Sequence, residues 1–324
     1  MKKVILLLAV FICSAHLVHA QWQQTNGPYG GVINAIATSG ANIFAGTAGG
    51  GVFLSTNNGS NWTSVNNGLG FTNENVSALA INSANIFAGT ENGVFLSTNN
   101  GSSWAIVNNG LTNKDVRSIA IRGANIFAGT YGGGVFLSTN NGSNWIAINN
   151  GLTNTDISSL AISGTNIFAG TENGVFLSTN NGSNWIAVNN GLTNTFISSL
   201  AINGTNIFAG TYNDGVFLST NNGSSWTPVN TGLTNKNVRS FAISGTNIFV
   251  GTFGGGMFLS TNNASNWTPV NNGLTHPFIS SLAISGTNIF AGTFSDGVFL
   301  STNNGSNWTP VNNGLTNTFI YHSP

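Results

Sequence analysis

Apolar positions in this chain fall in short runs that do not alternate with polar ones. Between Ile157 and Asn194 the order is ISSLAI, IFAGT, VFLST and WIAV, separated by SGTN, ENG and NNGSN and followed by NNGLTN. Runs this brief, rich in β-branched and aromatic residues and bounded by Gly, Asn and Ser, predict four strands joined by tight turns, here a, b, c and d. A strand with one wet face alternates, whereas IFAG and VFL are apolar at successive positions. Both faces of each small sheet must therefore be covered.

The unit recurs along the whole chain. Tryptophan stands at 22, 62, 104, 145, 185, 226, 267 and 308, a period of about 41. Four strands per period with two buried faces predict an all-β fold, a β-propeller of four-stranded antiparallel blades in which each blade packs between two others. Coiled β-helix repeats are much shorter, which makes a solenoid the weaker alternative. Seven complete units run from Ile33 to about Leu315. The ends leave the closure open: Trp22 reads as a strand d with no a, b or c before it, and Phe319-Ile320 begins another strand a. Seven blades with a spare strand is the expectation, and a truncated ring of eight is the alternative.

The turn between c and d is nearly invariant. Ser55-Thr-Asn57-Asn-Gly59-Ser-Asn-Trp62 returns at Ser97 to Trp104, Ser138 to Trp145, Ser178 to Trp185, Ser219 to Trp226, Ser260 to Trp267 and Ser301 to Trp308. Asn57 is expected to accept a hydrogen bond from backbone N–H two residues on, Gly59 to take a left-handed conformation, and Trp62 to start strand d against the neighbouring blade. The pattern Ser55, Asn57, Gly59, Trp62 resembles the Asp-box, or BNR repeat, S-x-D-x-G-x-x-W. That repeat is found in sialidases, sortilin-type receptors, xyloglucan-degrading hydrolases and photosystem II assembly factors of the Ycf48/HCF136 group. The resemblance covers nearly all of the chain after its first residues. It departs from the family pattern in having Asn in place of Asp in every copy and Ala264 in place of the glycine in the sixth. Those families share the box and not an activity, so the resemblance implies a propeller and a structural role for Trp62, Trp104, Trp145, Trp185, Trp226, Trp267 and Trp308.

Composition adds the compartment. Lys2 and Lys3 precede an apolar run from Val4 to Ile12, and Val18-His19-Ala20 resembles a small-residue cleavage site, so residues 1–20 read as a signal peptide and 21–324 as a single propeller domain. The run is well short of the roughly 20 residues a spanning helix needs. The expected location is secreted, cell-surface or periplasmic, with no membrane span. Cys13, the only cysteine, lies within the signal and leaves no disulfide behind. Without Lys2 and Lys3, five basic residues face seven acidic ones, a net charge of −2. Clustered Lys and Arg, the footprint of nucleic-acid binding, are missing from this pattern.

The connections of the copies differ mainly on one face. In a propeller the d-to-a and b-to-c connections share one face, and the a-to-b and c-to-d connections share the other. The second set is monotonous. The first holds all seven acids, Glu74, Asp115 and Asp156 before strand a and Glu91, Glu172, Asp214 and Asp296 after strand b. Arg117 and Arg239 lie just inside strand a, while Arg122 is on the opposite side. Rings beyond the two phenylalanines of each repeat follow the same rule: Phe71, Tyr131, Phe196, Tyr212, Phe253, Phe278 and Phe294, with His276 beside them. Drift in tolerant loops accounts for variation, but not for the uniformity of the other exposed set.

These residues suit binding more than catalysis. A sialidase needs three arginines on one face and an R-I-P motif, and neither is present. Seven acids permit a carboxylate pair for glycoside hydrolysis, yet no unit carries a distinctive acidic cluster. The GGG runs at 49–51, 132–134 and 254–256 are b-to-c turns, not a cofactor fingerprint, and no metal-ligand spacing or cofactor motif is evident. The sequence therefore predicts an exported, non-catalytic propeller whose variable face binds a glycan or protein partner. The alternative is a glycan-cleaving hydrolase of the Asp-box propeller type, sialidase-like or endoglucanase-like.

Overall fold

The computed structural model describes residues 31–70 and 75–316. Within them, 28 strands form seven four-stranded antiparallel sheets set in a ring, a seven-bladed β-propeller. Blade 1 contains β1 (Ile33–Ser39), β2 (Asn42–Thr47), β3 (Gly51–Ser55) and β4 (Thr63–Ser64), which occupy positions a to d from the axis outward. The six later blades repeat that order, each from one consecutive stretch of chain.

The unalternating runs are buried on both faces, as their pattern requires. In strand b, Ile43, Phe44 and Ala45 are fully buried, and so are their six sets of equivalents. Phe44 shares a core with Val52 of its own blade and with Val76, Ile86, Phe95 and Trp104 of the next. The core is thus a ring of seven inter-blade cores, and each fully buried phenylalanine contributes about 1.5–3 kcal/mol. Close approach of blades explains the glycine in IFAGT: a Cβ on Gly46 would stand 2.6 Å from Val76 Cγ1 of the next inner strand.

The box staples neighbours together. Ser55 Oγ accepts the Gly59 N–H at 2.8 Å, and Asn57 Oδ1 accepts the Ser55 hydroxyl at 3.0 Å and the Asn61 N–H at 2.9 Å. The asparagine therefore caps the N–H four residues on, not two, because Ser55 Oγ already takes the Gly59 N–H. Only an acceptor oxygen is needed there, so Asn serves where the box pattern has Asp. Left-handed backbone falls on both Asn58 and Gly59, and Ala264 takes it as well at φ 65°. Trp62 stands immediately before strand d. Each box tryptophan is buried and donates its Nε1–H to a carbonyl of the preceding blade, as Trp104 does to Val65 at 2.7 Å and Trp185 to Ile148 at 2.6 Å.

Blade 7 closes on blade 1 by the same devices. Ile33–Ser39 lies beside Ile279–Ser285, Phe290 and Leu315 share a core with Ile33 and Trp62, and Trp62 Nε1 donates to Val311 O at 2.7 Å. A ring of seven leaves no gap for an eighth blade. Trp22, Phe319-Ile320 and residues 1–20 lie outside the described residues.

Candidate functional site

Three positions per blade build the face predicted to vary. The first is the residue before strand a: Val32, Asn75, Asp115, Asp156, Phe196, Asn237 and Phe278. The second is the second residue of that strand: Asn34, Ser77, Arg117, Ser158, Ser198, Arg239 and Ser280. The third follows strand b: Ala48, Glu91, Tyr131, Glu172, Tyr212, Phe253 and Phe294.

The second position is a bulge in every blade. Ile33 pairs with Thr47 and Ala35 with Gly46, so Asn34 is the extra residue, and the same slip isolates its six equivalents. A bulge re-aims a side chain that the ladder would otherwise fix. These seven side chains surround the mouth of the central channel. One cavity of about 500 Å³ is lined by Asn34, Ser77, Arg117 and Ser158 with Tyr131, Asp156, Glu172, Phe196 and Phe294. It adjoins a second of about 260 Å³, lined by Ser198, Arg239 and Ser280 and sharing Asn34, Ser158, Phe196 and Phe294. Serine at the bulge is tied to the scaffold: Ser158 Oγ lies 2.9 Å from Gly170 O and 2.5 Å from Ile197 O of the next blade. Arginine there gives up that clasp and reaches the cavity.

Invariant asparagines hold the third position rigidly. Asn66 Oδ1 accepts the Val52 N–H at 2.7 Å and its Nδ2 donates to Gly50 O at 2.8 Å, pinning the b-to-c turn from below. The same pair of bonds recurs in each blade, for instance at Asn149 and Asn230. Variable side chains thus stand on a fixed backbone, the arrangement that favours preorganised binding.

The cavity is electrostatically lopsided. Blades 3 and 4 supply Asp156, Glu172 and the ion pair of Arg117 with Asp115, at 2.6 Å for Nε–Oδ1 and 2.8 Å for Nη2–Oδ2. Blades 5 to 7 supply rings. Phe196 packs on Tyr212 with centroids 5.3 Å apart, and Phe253 packs on Phe278 at 4.5 Å and Phe294 at 5.5 Å. The Arg239 guanidinium sits between Tyr212 and Phe253, 5.0 and 5.1 Å from their centroids. Burial pushes its pKa below the ordinary value, with Tyr212 opposing part of the shift. It stays protonated, as arginine does throughout proteins.

The structure thus brings Arg117, Tyr131, Asp156, Glu172, Phe196, Arg239 and Phe294 together, with Tyr212 and Phe253 behind Arg239. Tyr131 is 54% exposed, Tyr212 40%, Phe294 38% and Phe196 37%, while Phe253 is half-buried. Other expected members stand apart. Asp214 and Asp296 accept hydrogen bonds from Thr193 at 3.0 Å and Thr275 at 2.7 Å, while their backbone N–H groups donate to Thr211 and Thr293 Oγ1, and neither side chain lines the cavity. Glu91 accepts from Asn75 at 2.9 Å, and His276 stacks on Phe278 at 4.8 Å. Glu74 and Phe71 lie outside the described residues. Sequence reading missed Asn34, Ser77, Ser158, Ser198, Asn237 and Ser280, although they share the repeat register of residues it found. Among the described residues, no three His, Cys, Asp or Glu side chains cluster as metal ligands, and no helix is long and apolar enough to cross a membrane.

On the opposite face, Arg122 donates to Gly164 O at 3.0 Å and contacts Asn181, which ties it to neighbouring turns.

No protein-family model and no curated protein matches the chain. Solved structures do. The extracellular domain of a putative one-component system from B. thetaiotaomicron superposes with a TM-score of 0.71 at 19% identity, over 84% of this chain and 38% of that one. A GH74 xyloglucanase from Xanthomonas campestris gives 0.71 at 14% identity, over 88% and 55%. YCF48 bound to D1 peptide gives 0.68 at 13% identity, over 85% and 94%. The chain therefore spans well under two thirds of the first two. Identities this low carry the propeller fold and nothing finer.

Proposed function

We propose that this chain is an exported, non-catalytic propeller that binds a glycan or protein partner at the central cavity of its variable face. The observation that carries the reading is the convergence of variable residues from all seven blades on two adjoining cavities, above a scaffold that hardly changes. A cavity of about 500 Å³ falls within the usual small-ligand range. Half-exposed rings beside amides and carboxylates offer stacking with hydrogen bonds, and the YCF48 structure is an instance of a similar propeller holding a peptide. Export rests on the pattern of residues 1–20.

One observation favours the hydrolase as a second reading, since the carboxylates of Asp156 and Glu172 line the same cavity. An array of glycans and peptides, followed by a hydrolysis assay on whatever binds, separates the two. Binding without turnover, lost in the Phe196→Ser/Phe294→Ser double variant, is the expected result. Turnover abolished by Asp156→Asn or Glu172→Gln would replace this reading with the enzymatic one.

A further inference from the structure

Blades 3 and 6 are near copies at this face. Asn113-Lys114-Asp115-Val116-Arg117 in one stands where Asn235-Lys236-Asn237-Val238-Arg239 stands in the other, and both continue through a GGG turn after strand b. Their backbones agree in detail. Asn113 Oδ1 accepts the Asp115 N–H at 3.1 Å and Asn235 Oδ1 accepts the Asn237 N–H at 3.0 Å. Tyr131 N–H donates to Asp115 O at 2.9 Å and Phe253 N–H to Asn237 O at 2.8 Å.

Within that shared frame one exchange matters chemically. Asp115 holds the fork of Arg117 through two oxygens, whereas Asn237 offers an amide in the same place. Asn237 Oδ1 and Arg239 Nε are both buried and have no hydrogen-bond partner, and Arg239 has no ion pair among the described residues. A guanidinium set between two rings, with its internal carboxylate replaced, is preorganised for a carboxylate from outside.

We propose that Arg239 receives the carboxylate of an acidic oligosaccharide, which supplies in blade 6 the anion that Asp115 supplies in blade 3. This rests on the binding role proposed above for the same cavity and adds the ligand's chemistry. The small cavity beside Arg239 fits a sugar end, the rings of Phe196 and Phe294 in its lining give it an apolar surface, and Asn34 with the bulge serines can meet its hydroxyls.

The chain has three arginines, Arg117, Arg122 and Arg239, so the arginine Nε–H region of its NMR spectrum is simple enough to follow residue by residue. Oligomers of galacturonate, glucuronate and mannuronate would be titrated into the whole protein beside their carboxyl-reduced, neutral counterparts. At least one acid should move the Arg239 signal and leave Arg122 still, and its neutral counterpart should bind about tenfold more weakly or worse, as expected on losing a charge-assisted pair. Asn237→Asp, which restores the internal carboxylate, should weaken the acid by a similar factor without lowering the melting temperature. Asp115→Asn should bring the Arg117 signal into the titration. Equal binding of acid and neutral sugar, an Asn237→Asp variant that binds as before, or no response to any of the acids would overturn the inference. So would a response only to peptides with a free carboxyl terminus. If neutral glycans or peptides still bind and Phe196→Ser/Phe294→Ser removes them, the carboxylate inference fails while the binding face stands. If nothing depends on those rings, both fail.

Discussion

The two faces of this ring are made from the same repeats and have been used in opposite ways. On the face that carries the c-to-d turns, seven copies of the box keep the same serine and asparagine hydrogen bonds, with Ala264 in the glycine's place in the sixth, and the same tryptophan staple, and even the one basic residue there, Arg122, is tied to neighbouring turns. On the other face the backbone is equally regular, yet the side chains at three positions per blade range over Val, Asn, Ser, Ala, Asp, Glu, Arg, Tyr and Phe. On the binding role proposed above, backbone regularity on both faces with side-chain variation on one would separate stability from recognition. The scaffold residues work between blades, and the variable ones work into the cavity.

If that division is right, substitutions should sort by face. The largest loss belongs to the staple: Trp185→Ala should destabilise by about 3–5 kcal/mol in urea unfolding, because a buried ring and its bond to the preceding blade both go. A cost below about 1 kcal/mol would deny the tryptophan its inter-blade role. Next comes the glycine of close approach. Gly170→Ala puts a Cβ 2.7 Å from Ile197 Cγ2 of the next inner strand, an overpacking worth about 1–3 kcal/mol.

The boundary between the faces is sharpened by Phe253, which the sequence places among the rings of the variable connections. It is half-buried against Phe278, Phe294 and Arg239, so Phe253→Ala should cost about 1–2 kcal/mol, more than any other ring on that face. In the box, Asn180→Ala should lose about 1 kcal/mol with the cap to Asn184, while Asn180→Asp stays near neutral. Asn221→Asp should fall between them, since Asn221 Nδ2 also donates to Ser225 Oγ at 2.9 Å and a carboxylate cannot. The smallest effect is expected at Tyr131, where alanine should shift stability by less than about 0.5 kcal/mol.

Much of this was legible in the chain. The period of about 41, the four runs and the box dictate blades, and the unalternating IFAGT and VFL segments foretell burial on both faces. Comparison of the chain with itself finds the variable face through Arg117, Tyr131, Glu172, Arg239 and Phe294. What it misses is local. A bulge is a feature of pairing register, so nothing in the string marks Asn34 or Ser198 as turned toward the channel. The partners of Asp214 and Asp296 are threonines 21 residues earlier in the chain, visible only once two loops meet. Closure by seven blades likewise depends on the contact of Ile33 with Phe290 and Val298 across the ends of the repeat array.

The central claim is that recognition resides wholly on the variable face, and calorimetric titration of one bound ligand into two sets of variants tests it most directly. One set carries Tyr131→Ala, Phe196→Ala and Phe294→Ala; the other carries Asn85→Ala, Asn125→Ala, Asn166→Ala and Asn206→Ala on the opposite rim. The account predicts that the first set loses binding with its melting temperature almost unchanged, and that the second binds as the parent does even where its fold is weaker. Binding retained by the first set and abolished in a still-folded second set would contradict it.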